Sequence, residues 1–224
     1  IREMEKAYGF EGLPDRELVN APLQSELGQK YFKAMCAGMN YAFANRQMIV
    51  HWIRDSFKKV MGTDHGMKQV YDVCHNIGKI EKHKVDGEVK ELCVHRKGAT
   101  RSFGPGREEV NEIYREVGQP VFIPGTMGTA SYILVGTAEA EEKSWGSTAH
   151  GAGREMSRSE AIKRFRGEAV AKELEQRGIL VKAASWKGIA EEHIPAYKDV
   201  DEVCRVSNEA KLGKLVARLV PLGV

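Results

Sequence analysis

The chain contains no run of about 18 apolar residues, the length a membrane-spanning helix needs. Its first residues, Ile1-Arg2-Glu3-Met4-Glu5-Lys6, are charged and helix-favouring and lack the apolar stretch of a signal peptide. No methionine precedes Ile1, which predicts a fragment or a processed product. Cysteine is scarce: Cys36, Cys74, Cys93 and Cys204 show no CxxC spacing, so a zinc ribbon or thioredoxin-type motif is excluded and a reduced, cytoplasmic setting is expected. Excess charge of one sign is also missing. With 34 basic and 31 acidic residues the net charge is +3, which by itself demands no nucleic-acid partner. Repeats, low-complexity tracts and the GxxxxGK[ST] phosphate loop are absent. What remains is an ordinary globular composition, 42% hydrophobic and 29% charged over 224 residues, enough for one domain or two small ones.

Residue patterns predict helices and strands in irregular alternation. Residues 1–8 read as the end of a helix, and 9–24 as a connector holding Gly12, Pro14 and Pro22. Ser25 is placed to cap a long helix running towards Met61, with Tyr31, Met35, Ala42, Phe43, Ile49, Ile53, Phe57 and Val60 at helical spacing. Asn40, Asn45, Arg46 and Gln47 within it form either an exposed polar stripe or a network holding a site. A strand is expected over 68–75, then a hairpin over 79–95 turning at Asp86-Gly87. After a loop over 98–107 comes a short helix over 108–117, followed by strands over 120–123 and 130–135. Ser157-Arg158-Ser159-Glu160 fits a capping box for a helix reaching Gly178. A strand over 179–184, a helix capped by Asp199 and a closing strand over 215–220 complete the chain. The fold class is α+β, with mixed or largely antiparallel sheets and packed helices.

Chemistry concentrates in a few segments. In Ser147-Thr148-Ala149-His150-Gly151-Ala152-Gly153-Arg154-Glu155-Met156-Ser157-Arg158, one histidine stands among small residues with two arginines close behind. The arginines offer rigid forks for phosphate, and the helix they open would favour an anion. The imidazole, with an ordinary pKa of about 6.5, offers a nitrogen nucleophile. That combination suits phosphoryl or nucleotidyl transfer; a histidine capping a tight turn has the same spacing. Gly125-Thr126-Met127-Gly128-Thr129-Ala130-Ser131-Tyr132 is either a polar hairpin turn or a cradle in which N–H groups and the Thr126 and Ser131 hydroxyls hold a base or phosphate. Basic clusters at His95-Arg96-Lys97-Gly98-Ala99-Thr100-Arg101 and at Arg154, Arg158, Lys163, Arg164 and Arg166 are solvated faces or anion sites. Among the seven histidines, His75 in Asp72-Val73-Cys74-His75-Asn76 is the best metal-ligand candidate. Its neighbour Cys74 would point to the opposite face of a strand and is read as a buried core residue. One histidine does not make a catalytic metal site, which usually needs about three protein ligands.

Taken together, these segments resemble the tRNA-splicing ligase RtcB family. The resemblance also takes in Gly118-Gln119-Pro120-Val121, Glu191-Glu192, Ala196-Tyr197-Lys198-Asp199-Val200 and Val216-Ala217-Arg218-Leu219-Val220-Pro221-Leu222-Gly223-Val224. It covers nearly the whole chain, and its wording is archaeal rather than animal. The resemblance implies a GTP- and Mn²⁺-dependent RNA ligase that joins 2′,3′-cyclic phosphate or 3′-phosphate ends to 5′-hydroxyl ends in tRNA splicing or RNA repair. His150 would carry GMP covalently. His75 matches a Mn²⁺ ligand and Asn76 a nucleotide contact. Thr126 and Ser131 lie in the matching glycine turn; Ser131 and Tyr197 match positions around the guanine. Ala152 and Gly153 match backbone around the nucleotide, and Arg154 and Arg158 match phosphate- or RNA-contacting arginines.

The resemblance also defines what is missing. Residues 1–224 match the C-terminal portion of a single catalytic domain. The N-terminal segments that supply most of the family's metal ligands have no counterpart, nor does the terminal lysine that contacts guanine. Ala149 replaces a common cysteine, and Thr126 a common serine. RNA is the expected substrate; the missing half, in cis or in trans, and the helper protein archease are the expected partners, and no membrane is involved. Two other readings stand beside the ligase: a non-catalytic RNA- or nucleotide-binding module derived from it, and an unrelated phosphotransferase using His150.

Overall fold

The computed structural model of the chain describes residues 1–63 and 66–224, which fall into two compact units. The first comprises 1–82 and 89–95, the second 83–88 and 96–224. The α+β class and the small antiparallel sheets are as expected. No described helix is long and apolar enough to cross a membrane.

The first unit is organised on α2, Glu26–Met61, which follows the short α1, Arg2–Tyr8. Ser25 caps α2 by accepting the N–H of Gly28, and Gly62 ends it in the left-handed conformation. Gly28 is required, since a Cβ there would meet the carbonyls of Pro22 and Leu23. The expected apolar spacing divides between two faces. Met35, Ala42 and Phe43 are half-buried, whereas Tyr31, Ile49, Ile53, Phe57 and Val60 are exposed.

Residues 68–75 are not the expected strand; they lie along α2 without regular structure. Side chains of the helix replace ladder bonds. Arg46 Nε pairs with Asp72 Oδ1 at 2.5 Å, Gln47 donates to Gln69 Oε1 at 2.9 Å, and Arg54 donates to the Met67 carbonyl at 3.1 Å. Two of the four polar mid-helix residues therefore hold a segment in place rather than forming a solvated stripe. Regular pairing starts one residue after His75. Strands β1, Asn76–Val85, and β2, Glu88–Lys97, form the expected hairpin about Asp86-Gly87, both in positive φ.

In the second unit β3, Ala99–Arg101, pairs antiparallel with β6, Ser147–Ala149, bringing Ala99 opposite Ala149. Strands β4 (Pro120–Ile123), β5 (Ser131–Val135) and β7 (Lys214–Leu219) form an antiparallel sheet in the order β4-β5-β7. Helices α3 (Ala138–Ser144) and α7 (Val200–Glu209) are capped by the hydroxyl of Thr137 and the carboxylate of Asp199. Val121, Ile123, Leu134, Ala152, Val200 and Cys204 form one core cluster.

The helix expected from 157 to 178 is two: α4, Arg158–Arg164, and α5, Gly167–Gln176. Phe165 is extended and packs with Val170, Ala171, Leu174, Ile179 and Ile189 in a second cluster, its ring edge-on to His193 at 4.5 Å. Burying that ring interrupts the helix. The short helix expected over 108–117 shrinks to a 3₁₀ turn, Glu112–Tyr114. Residues 179–184 do not form the expected strand. Ile179 turns into the second cluster, and pairing consists of an isolated bridge between Leu180 and Gly223 and one further bond from the Lys182 N–H to the Val224 carbonyl at 2.7 Å.

The basic segment 95–101 divides: Lys97 is exposed, whereas two of its arginines are interior in this unit. Arg96 and Arg101 are buried, and with Arg107 they surround the fully buried Phe103 at 5.7, 4.7 and 4.1 Å from its centroid. His83 meets the same ring edge-on at 6.0 Å. Replacing Phe103 with Ala should cost about 3–5 kcal/mol in urea unfolding through cavity formation. Phe103→Leu should cost less but still destabilise, because it removes the π face that three guanidinium groups share. A leucine variant as stable as the parent would show that the π face contributes nothing.

Candidate functional site

His150 follows β6 at a bend and is half-buried. The residues on either side explain its placement. Ala149 packs against the first core cluster and Ala152 belongs to it, so the chain is anchored within two residues of the histidine in both directions. Between them the Ala152 N–H donates to the Pro124 carbonyl at 3.1 Å, tying the loop to the end of β4. A Cβ on Gly151 would sit 3.5 Å from that carbonyl oxygen. On its other side the imidazole faces Gly98, whose φ is +68°. A Cβ built there would lie 3.7 Å from His150 Nε2 and 3.8 Å from Cδ2. Gly98 thus keeps the Nε2 edge of the ring clear of side-chain atoms from that direction, a role not anticipated from the sequence. A solitary glycine inside a basic run was its only sign.

The glycine turn between β4 and β5 is internally bonded. Ser131 Oγ accepts the Gly125 N–H at 3.2 Å, and Thr129 Oγ1 accepts the Thr126 N–H at 2.8 Å. The hydroxyls of Thr126 and Thr129 lie 2.9 Å apart, and Thr126 Oγ1 accepts the Gly128 N–H at 3.3 Å. Three N–H groups that suggested an anion cradle are therefore satisfied by the turn's own hydroxyls. Met127 packs against the second cluster, and a Cβ on Gly128 would crowd Ile194 and Leu174. The turn is a rigid wall beside the His150 loop, joining both hydrophobic clusters.

Arg154 forms the opposite support. Its Nε donates to the Met156 carbonyl at 3.1 Å and its Nη2 to the Glu191 carbonyl at 2.5 Å. Nη1 donates to Tyr197 Oη at 2.7 Å and to Glu192 Oε1 at 3.3 Å. The guanidinium also stacks on the Tyr197 ring at 4.5 Å. Tyr197 Oη donates in turn to Glu192 Oε2. The Lys198 N–H donates to the Gly153 carbonyl at 3.0 Å, closing the seam. Arg154 is thus engaged by protein acceptors, and a phosphate contact would have to compete with them. Arg158 differs: its side chain is 66% exposed, with Glu192 at 3.5 Å and Glu191 at 3.9 Å. The second unit therefore brings together His150, Ala152, Gly153, Arg154 and Tyr197, with the Thr126 and Ser131 turn beside them. Glu192, which joins both arginines and the tyrosine, carries no signal in the sequence beyond its acidic pair.

His75 and Asn76 belong to the first unit and are exposed. Cys74 before them is buried, as expected. Besides pairing with Asp72, Arg46 lies 3.7 Å from Cys74 Sγ, so the residues leading to His75 are pinned to α2. Asp72 Oδ2 is buried without a hydrogen-bond partner. Among the described residues no group of three His, Cys, Asp or Glu side chains could hold a metal ion.

Burial, reinforced by the Glu192 carboxylate, raises the Tyr197 pKa above its ordinary value. A raised folded-state value means that the unfolded chain loses this proton first, so stability falls as pH rises through and beyond the tyrosine range. Urea unfolding between about pH 9 and pH 11 should show this alkaline loss, and Tyr197→Phe should remove part of it. A Phe variant that keeps the entire loss would contradict the assignment.

The sequence model described as tRNA-splicing ligase RtcB matches residues 1–224. A tRNA-splicing ligase RtcB from Archaeoglobus fulgidus is 57% identical over 222 residues, covering 98% of this chain and 46% of that protein. The Thermococcus kodakarensis protein of the same name is 53% identical over 229 residues, covering all of this chain and 48% of the relative. The Pyrococcus furiosus protein is 56% identical over 230 residues, covering all of this chain and 24% of the relative. The chain thus spans between a quarter and a half of the length of these relatives. It belongs to the tRNA-splicing ligase RtcB family.

Proposed function

We propose that this chain supplies the nucleotide-accepting histidine of a GTP-dependent RNA ligase. The ligase joins RNA ends bearing a 2′,3′-cyclic phosphate or 3′-phosphate to 5′-hydroxyl ends, in tRNA splicing or RNA repair. One observation carries the reading: the Nε2 edge of His150 faces the side-chain-free surface of Gly98, on a loop whose flanking alanines pack against the core. A nucleophile needs its position held, and the anchored loop supports this.

In this reading an imidazole nitrogen of His150 attacks the α-phosphorus of GTP. A phosphorus–nitrogen bond forms, the bond to the α,β-bridging oxygen breaks, pyrophosphate leaves and the ring proton passes to solvent. An oxygen of the RNA 3′-phosphate then takes the guanylate and frees the histidine. Attack by the 5′-hydroxyl oxygen on the RNA phosphorus expels GMP. Ser131 and Tyr197 border the guanine, while Thr126 and the Ala152-Gly153 backbone border the remainder of the nucleotide. Arg158 and, by exchanging a protein partner, Arg154 meet phosphate.

Manganese would polarise phosphate oxygens when bound. By the family resemblance His75 would be one donor for it. Because three ligands are not found together among the described residues, the same observation favours a second reading for the chain by itself: an RNA- or nucleotide-binding module without catalysis. RNA and GTP are ligands in both readings; archease and the remaining half of the ligase, in a cytoplasmic setting, are partners in the first.

Incubation with α-labelled GTP and Mn²⁺, together with the N-terminal half of an archaeal relative, should label this chain in an acid-labile, alkali-stable bond. Without the added half no label is expected. His150→Ala should abolish labelling, and an adduct that persists in that variant would refute the nucleophile. Gly98→Ala should lower labelling at least about tenfold, because an alanine is strained at the positive φ of this position and the backbone beside the His150 ring would shift. Labelling of that variant at the parental rate would remove Gly98 from the site.

A further inference from the structure

The break between α4 and α5 opens a second feature in the same unit. A hollow of about 340 Å³ lies between this break and the start of α6, Trp186–Glu191. Lys163, Arg164, Arg166, Trp186 and Lys187 line it, with Glu168 the one carboxylate among its lining residues. All four cations are exposed. Arg164 has Glu160 at 3.6 Å, whereas among the described residues no carboxylate lies within ion-pairing distance of Lys163, Arg166 or Lys187. The Trp186 residue is 55% exposed.

Helix electrostatics explain part of this cluster. Lys163 and Arg164 complement the carbonyl end of α4. They do not explain Arg166, which occupies the N-cap of α5 where a short acceptor side chain is usual and where no side chain caps the helix. Nor do they explain Lys187 beside an uncovered indole. Unneutralised cations around an exposed aromatic face suit a ligand with both a charged backbone and flat apolar rings, which is a single-stranded nucleic acid.

Position supports the same ligand. Arg158 begins α4, and the hollow lies at the other end of that seven-residue helix. The two are therefore separated by about 10 Å along the helix axis, within reach of one short single strand. Arg158 pairs with Glu191 and Glu192 beside Tyr197, so the basic track leads from the His150 loop towards the hollow.

We infer that Lys163, Arg166, Lys187 and Trp186 form a secondary RNA-binding site, holding the substrate strand a few nucleotides from its reacting end by phosphate pairing and base stacking on the indole. The identification of the strand as RNA rests on the proposed ligase reading.

The test uses the whole chain and a short mixed-sequence single-stranded RNA, followed by fluorescence anisotropy over a range of salt and by tryptophan quenching. The parent should bind with tryptophan quenching that Trp186→Ala removes. That variant should bind roughly tenfold more weakly, the effect of losing one stacked base. Trp186→Phe should recover most of the affinity, which separates stacking from a folding defect. Reversing Lys163, Arg166 and Lys187 to Glu should flatten the logarithmic salt dependence by about two, as loss of three single-strand phosphate contacts requires. Affinity and salt slope equal to the parent in these variants would overturn the site. Failure of the parent to bind RNA would do so too, as would Trp186 quenching by anionic lipid vesicles but not by RNA. Guanylylation of His150 is measured without RNA, so failure of the ligase reading registers separately from failure of this site.

Discussion

The Arg154 guanidinium is the constraint on which the candidate site depends. It joins three stretches that are remote in sequence: the loop after His150, the carbonyl end of α6 at Glu191 and Glu192, and Tyr197. Five donors in a fixed plane allow one side chain to make all of these bonds and to stack on the phenol ring. Without that fork the segment 153–156 would have the Ala196 and Lys198 backbone contacts alone to hold it. The hydrophobic anchors at Ala149 and Ala152 set where the histidine emerges, and the arginine sets the direction in which the following chain leaves.

A second theme is the use of small residues to bring backbone against backbone. Gly98 leaves room beside the imidazole, Gly151 approaches the Pro124 carbonyl, and Gly128 lets the neighbouring turn settle onto Leu174 and Ile194. The threonine and serine hydroxyls of that turn close its own hydrogen bonds, making it a stiff border and not a set of open donors. In the first unit α2 has the corresponding role, laying out residues 67–75 through Arg46, Gln47 and Arg54. Such preorganisation fixes the positions of the polar groups that these segments present.

Local chemistry carried a good deal of this into the sequence. Ser25, Ser157 and Asp199 start helices because their side chains accept backbone N–H groups, and the Asp86-Gly87 hairpin follows from two residues that accept positive φ. Strands over 120–123 and near 215–220 follow from short apolar runs bounded by proline or glycine. The errors have a common cause. Residues 68–75 and 179–184 have strand-like composition, but a strand needs a partner, and composition does not say whether one is nearby. The helix over 157–178 divides because Phe165 is worth more buried against Leu174 and its neighbours than continuing the helix. Arg96 and Arg101 read as solvated or anion-binding cations, whereas both are interior and gather around Phe103.

The sequence by itself determined the α+β class, most element starts and the motif order that marks the family. These depend on residue type and on neighbours a few positions away. Only the tertiary structure decided that Gly98 faces Nε2, that Arg154 is held by Glu191, Glu192 and Tyr197, and that the hydroxyl-rich turn satisfies its own N–H groups. Most of those contacts link residues tens of positions apart. In the turn they depend on which hydroxyl rotates towards which amide. No local propensity carries that information, because it arises when distant segments compete for the same space and the same hydrogen bonds.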